Sequence, residues 1–215
     1  MNKMKMLAGM IVFGSLWGFS ECIIGPLLAD RGLPAGMLMT GLFAMVFLVF
    51  SRMMYQQKGM QVGMGLIAGS LRFFNPFGGC HLCSAIAIMA EGLLFECIWN
   101  YTTTLDLSKL NNLTAKVSLG IFSSYIVFIG GYIVTQALTP LISTGLFNIA
   151  NLISFLPQIF ARALAVALLG GVTVPITLSL KNIHMTLNDK YYYPATLGTA
   201  MICWILVLGN WIIYL

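Results

Sequence analysis

The stretch Phe73–Cys97, FFNPFGGCHLCSAIAIMAEGLLFEC, decides how the chain is read. A Gly/Pro turn carrying Cys80, His81 and Cys83 runs straight into an apolar helix that holds Glu91 and Glu96. Carboxylates inside a hydrophobic segment are expensive and are seldom kept without a purpose. The apolar residues run on without alternating, so the segment spans a bilayer as a helix and not as a barrel strand. The whole chain matches it. Of 215 residues, 59% are hydrophobic and 8% charged, against about 25% charged in a soluble domain. Mean hydropathy is +0.92. The fold class is therefore all-α, a polytopic transmembrane helix bundle forming a single integral membrane domain.

Outward from that stretch, about seven spans are expected. The first runs from about Leu7 to Leu28; it is too long for a signal peptide, contains Glu21 and reads as a retained helix. The second runs from Pro34, suited to the first turn of a helix, to about Met54. The third, Met60–Phe74, is short and glycine-rich, and Asn75-Pro76-Phe77-Gly78-Gly79 breaks it. The fourth covers about Leu82–Tyr101. The fifth covers Lys116–Leu138, with Pro140 ending it. Leu141–Leu156 is too short to cross, since a crossing needs about 20 residues, and reads as an outer interfacial or re-entrant segment. The sixth runs from Pro157 to Leu180 with a kink at Pro175. The seventh starts at Pro194.

The charges support this count. With the N-terminus inside, Lys3, Lys5, Arg52, Lys58, Lys109, Lys116, Lys181 and Lys190 fall on the cytoplasmic side, and Arg31, Arg72 and Arg162 outside. Eight against three obeys the positive-inside rule. The net charge of +5 then reflects loops lying on an anionic lipid bilayer, with no nucleic acid implied. The expected location is the cell membrane, as a multi-pass protein. No Walker A, HExxH, GxSxG or dinucleotide-binding fingerprint is present, so any use of ATP must come from a partner.

Within the spans, Gly14, Gly18, Glu21 and Gly25 are spaced 4, 3, 4 and form one helix stripe. Small residues let another helix approach closely, so Glu21 points into protein. Cys80, Ser84, Ala87 and Glu91 repeat that spacing. Glu91 lies roughly 14 Å and Glu21 roughly 8 Å below the outer edge, so the two are expected to line one outward-facing cavity between the first, third, fourth and sixth helices. Glu96, five residues on, serves another face and is read as a contact to a neighbouring helix or subunit. Arg72 and Arg162 sit at outer helix ends, where they either snorkel or hold an anionic ligand group. Trp17 and Phe77 are expected to supply apolar walls, with Asn75 and Ser84 as further polar contacts. Cys80, His81 and Cys83 offer a metal ion soft ligands, or alternatively a disulfide or redox pair; a zinc site wants about four ligands, and no second pair appears. Five cysteines do not make a disulfide scaffold,.

Gly14-Ser-Leu-Trp-Gly-Phe-Ser-Glu21, closing with Gly25-Pro26-Leu27-Leu28, resembles the first helix of small substrate-binding S components of energy-coupling factor (ECF) transporters. Cys83-Ser-Ala-Ile-Ala-Ile-Met-Ala-Glu91-Gly92-Leu-Leu-Phe-Glu96 resembles a later helix of the same proteins. The resemblance covers about thirty residues. It implies a non-enzymatic component of a vitamin, metal or other micronutrient uptake system, which binds its small-molecule substrate from outside. It also implies a membrane T component and two ATPase subunits as partners, with Gly14 and Gly18 at the T contact. One stripe is then asked to carry both a partner interface and a pocket residue. Two rivals stand beside this reading. A membrane thiol oxidoreductase would pass electrons from Cys80 and Cys83 to a quinone. A small structural subunit of a larger membrane complex would use its glutamates for assembly.

Overall fold

A computed structural model of the chain describes residues 3–75, 81–102, 112–142, 149–180 and 189–213. Seven helices, and no strands, occur among the described residues. Helix α1 (Lys3–Asp30) contains a π-type turn at Ser20–Ile24, and α2 (Ala35–Tyr55) contains one at Met39–Ala44. Next come α3 (Met60–Phe73) and α4 (His81–Glu96), the latter continued by a third π-type turn at Cys97–Thr102. Then follow α5 (Leu113–Ile142), α6 (Ile149–Ser179) and α7 (Asp189–Ile213). Six of the seven are long and apolar enough to cross a membrane. The protein is a multi-pass helical membrane protein.

The exception is α3. Its 14 residues make a rod about 21 Å long, short of a hydrocarbon core about 30 Å thick. It sits between α1 and α4, with Met60, Met64, Ala68 and Leu71 wholly buried. Glycines make this possible. A Cβ on Gly14 would stand 2.9 Å from the Met64 carbonyl oxygen, and one on Gly18 would stand 3.0 Å from the Ala68 Cα. On the other side, Gly65 and Gly92 bring α3 and α4 into near backbone contact, since a Cβ on Gly92 would meet the Gln61 carbonyl oxygen at 2.6 Å. In lipid there is no hydrophobic drive between helices, so close packing of this kind carries their association.

The core beside α3 is built from Trp17, Met45, Leu48, Phe95 and Trp99, with Phe95 and Trp99 stacked at 4.7 Å. The Trp99 indole N–H donates to Ser123 Oγ at 2.9 Å, which ties α4 to α5. The Tyr192 hydroxyl meets that of Tyr55 at 2.6 Å and donates to the Lys5 carbonyl at 3.2 Å. That contact joins the start of α7 to the start of α1 and the end of α2. The outer face of α7, including Met201, Ile205, Leu206 and Ile213, is exposed, as suits a lipid-facing surface.

Three expectations about prolines are corrected. Pro140 does not end α5, which runs on to Ile142. Pro157 does not open α6, which starts at Ile149. Pro194 lies inside α7, which starts at Asp189. The expected outer segment Leu141–Leu156 is therefore not a separate element where it is described: its first two residues finish α5 and residues 149–156 begin α6. Residues 143–148 of that segment lie outside the described residues. The physical reason is that leaving a helix in lipid strands every backbone polar group, whereas a proline inside one strands a single carbonyl that neighbours can satisfy.

Candidate functional site

The site forms where the two π-type turns face α4 and α5. In α1, Ser20 Oγ donates to the Trp17 carbonyl at 2.7 Å just as the helix widens, and Glu21 follows. A π turn takes more residues per turn than an α turn, so it rotates whatever comes after it. Gly14 and Gly18 stay against α3, while a Cβ on Gly25 would meet Met39 Cγ of α2 at 3.8 Å. Glu21 likewise turns toward α2 and α4. The stripe inferred from the sequence is thus split in two. Its glycine half is occupied by the chain's own α3 and is not open to a partner.

Glu21 and Glu91 line one cavity of about 390 Å³. Its walls are Met39 and Thr40 from α2, Ser84 and Ala87 from α4, and Phe128, Gly131, Tyr132, Thr135 and Gln136 from α5. The expected walls were the first, third, fourth and sixth helices; the observed ones are α1, α2, α4 and α5. A smaller lobe of about 200 Å³ shares Glu21, Gly36, Met39 and Ser84 with the first, and adds Arg72 together with Gly25, Pro26, Ala29 and Ala35. Arg72 reaches it from the end of α3. It is 4% exposed, and its Nε donates to Ser84 Oγ at 3.1 Å.

Glu91 is the central group. It is 6% exposed. Thr40 Oγ1, on the π-type turn of α2, donates to its Oε1 at 2.7 Å. Its Oε2 is buried and accepts no hydrogen bond among the described residues. A carboxylate left half-satisfied in a low-dielectric interior costs several kcal/mol, on the order of what an ion pair must repay. Glu96, by contrast, is fully engaged. Its Oε1 accepts the Gly59 N–H and its Oε2 accepts the Val62 N–H at 3.0 Å. Those donors lie at the N-terminus of α3, where free N–H groups and the helix dipole favour an anion. Gly59 enters the helix at φ +87, a left-handed conformation that glycine adopts freely,.

The remaining sequence candidates are distributed as follows. Trp17 is wholly buried in the main core and does not line the cavity. Asn75 is wholly buried, and its Nδ2 donates to the Cys22 carbonyl at 3.2 Å, a tie between the end of α3 and α1. Arg162 is exposed on α6 and borders neither lobe. Phe77 and Cys80 lie outside the described residues. The His81 ring packs on Phe73 at 5.9 Å. Cys83 lines the cavity and is disulfide-bonded, and a disulfide has no thiolate to give a metal. No group of three or more His, Cys, Asp or Glu comes together among the described residues.

The contributions of α2 and α5 are absent from the sequence reading. The α5 wall carried a readable signal. Phe128, Gly131, Tyr132 and Thr135 are spaced 3, 1, 3 and share one face of a helix, with a glycine and a threonine among aromatics. Thr40 had no such signal, because only the π-type turn brings it to Glu91. π turns inside α-helices occur often at functional sites, and here two of them flank one cavity. No family model matches the chain, and no curated protein or solved structure does.

Proposed function

We propose that the protein is the substrate-binding membrane component of a small-molecule uptake system, holding its ligand in the cavity between α1, α2, α4 and α5. The observation that carries this reading is Glu91, a buried acidic residue within the helix bundle that lines a cavity of about 390 Å³. An intramembrane carboxylate aimed into a cavity marks a ligand or ion path more often than a packing contact. The volume lies in the range of small-molecule sites, roughly 300–1,000 Å³. The distribution of lysine and arginine argues for a cell-membrane protein whose Arg72 end faces outward. The resemblance of Gly14–Leu28 and Cys83–Glu96 to S components supplies the rest: a micronutrient as cargo, and a membrane T component with two ATPases as partners. Gly14 and Gly18 face α3, so the T contact belongs on another surface.

Native mass spectrometry of protein extracted gently from its host tests this. A bound small molecule, or co-extraction with a second membrane protein and two ATPases, is the expected result. Extraction alone, with no ligand in either wild type or any cavity variant, overturns it.

One observation favours a second reading. Cys83 is disulfide-bonded at the cavity wall, where a quinone-linked thiol oxidoreductase would keep its redox centre. Under that reading, serine at positions 80 and 83 abolishes activity and a quinone co-purifies. Under the uptake reading, a ligand is still bound after the same pair of substitutions, and no quinone co-purifies.

A further inference from the structure

We infer that the ligand carries a neutral amide-type edge, a C=O beside an N–H as in a primary amide, a lactam or a ureide, on a largely apolar body. The edge lies at Glu21 and Ser84, and the body fills the larger lobe. This rests on the small-molecule reading above and names the substrate class.

The first ground is access. The carboxyl presented to a ligand is that of Glu21 and not that of Glu91. Thr40 caps Glu91 at Oε1, and its Oε2 is sealed inside the bundle. Glu21 is half-buried and borders both lobes. Neither of its oxygens is sealed off, and neither accepts a hydrogen bond from a described residue; the nearby Trp17 indole N–H makes none. Ser84 is likewise half-buried and borders both lobes. The two residues mark the junction of the lobes, so a single group placed there meets both.

The second ground is the pattern of donors and acceptors. Ser84 Oγ accepts the Arg72 Nε–H at 3.1 Å, and its own O–H donates to no described residue. It therefore offers the ligand a donor. Glu21 offers an acceptor whether or not it holds a proton: ionised, it only accepts; protonated, it donates from one oxygen and accepts at the other. An amide edge suits both residues in either state, its C=O taking the Ser84 O–H and its N–H filling Glu21. A carboxylate or an ester brings no donor for Glu21. An ammonium brings no acceptor for Ser84, and it would enter beside Arg72, which is always charged,. The third ground is the lining. From the junction the larger lobe, of about 390 Å³, continues along Met39, Ala87, Ile88 and Phe128, which gives the rest of the ligand an apolar seat.

The test uses the whole purified protein in lipid nanodiscs and four probes of nearly one shape: 2-phenylacetamide, methyl phenylacetate, phenylacetate and 2-phenylethylammonium. Affinity is read by titration calorimetry. The amide is expected to bind about tenfold or more tightly than each of the others, given the cost of leaving a buried polar group unfilled. Glu21→Gln keeps an acceptor and should hold the amide within about twofold. Glu21→Leu removes the acceptor and should lose about tenfold for the amide, with little change for the ester. Ser84→Ala should weaken amide and ester alike. Gly131→Leu adds bulk to the larger lobe and should weaken every probe. Equal binding of amide and ester, preference for either charged probe, a loss in Glu21→Gln as deep as in Glu21→Leu, or failure of all four probes at millimolar concentration each overturns the assignment. The uptake reading is judged separately, by the partners and cargo that co-extract, so a cargo without an amide-type edge would sink this inference alone.

Discussion

Glu91 and Glu96 stand five residues apart on one helix, both almost fully buried, yet their circumstances are opposite. Glu96 accepts two backbone N–H groups at the start of α3. Glu91 lines a cavity, accepts one hydroxyl at Oε1, and has no hydrogen-bond partner at Oε2 among the described residues. Burial alone does not distinguish a structural carboxylate from a binding one; saturation does. A group whose lone pairs are filled by its own chain has its role already. One left wanting still has a bond to make.

Removing each group should separate the two sharply. The largest effect is expected from Glu96→Ala, which strands the Gly59 and Val62 donors and the α3 N-terminus. A loss of about 3–5 kcal/mol is expected, read as a fall in yield and in the denaturation midpoint in detergent. If Glu96→Ala melts like wild type, Glu96 is not the cap it resembles. Glu91→Gln should act in the other direction. It cannot ionise and keeps the Thr40 bond, so at a pH high enough to deprotonate Glu91 the ligand-free protein should gain about 1–3 kcal/mol. A clear destabilisation in that variant would mean that Glu91 is already paired inside the bundle. Next in size is Thr40→Val, expected to cost about 1–2 kcal/mol through the lost donor. Combined with Glu91→Ala in a double-mutant cycle, it should show a coupling of about 1 kcal/mol; additive effects would remove Thr40 from the site. The smallest effect belongs to Gly131→Ala. Its Cβ would sit 3.5 Å from Glu91 Cγ, an ordinary contact, and thermal stability should move by less than about 0.5 kcal/mol.

Much of this was legible before any coordinates. The 4, 3, 4 spacings of Gly14–Gly25 and Cys80–Glu91 sent Glu21 and Glu91 toward one cavity, because helical periodicity is a strong signal in apolar segments. The turns at 31–34 and 56–59, between the first three helices, could be read from Gly, Pro and charge. Three kinds of information were not carried by residue type. The prolines at 140, 157 and 194 look like boundaries by the rules of water, and lipid changes which alternative is cheaper. The π-type turns at Ser20–Ile24 and Met39–Ala44 have no residue signature, so the rotation that frees Glu21 from its glycine stripe was invisible. The α5 wall offered a helix face without a charge, and attention to ionisable groups passed over it.

The cap on α3 bears on how the protein is made. By length α3 falls short of the membrane-crossing helices around it. The side chain that closes its first turn belongs to α4 and leaves the ribosome some 35 residues after Gly59. Until then, that end of α3 has unfilled donors and no means of resting in hydrocarbon by itself. The pair must therefore enter the bilayer as a hairpin. The order of synthesis then lets α3 settle only together with α4, held by a residue translated after it.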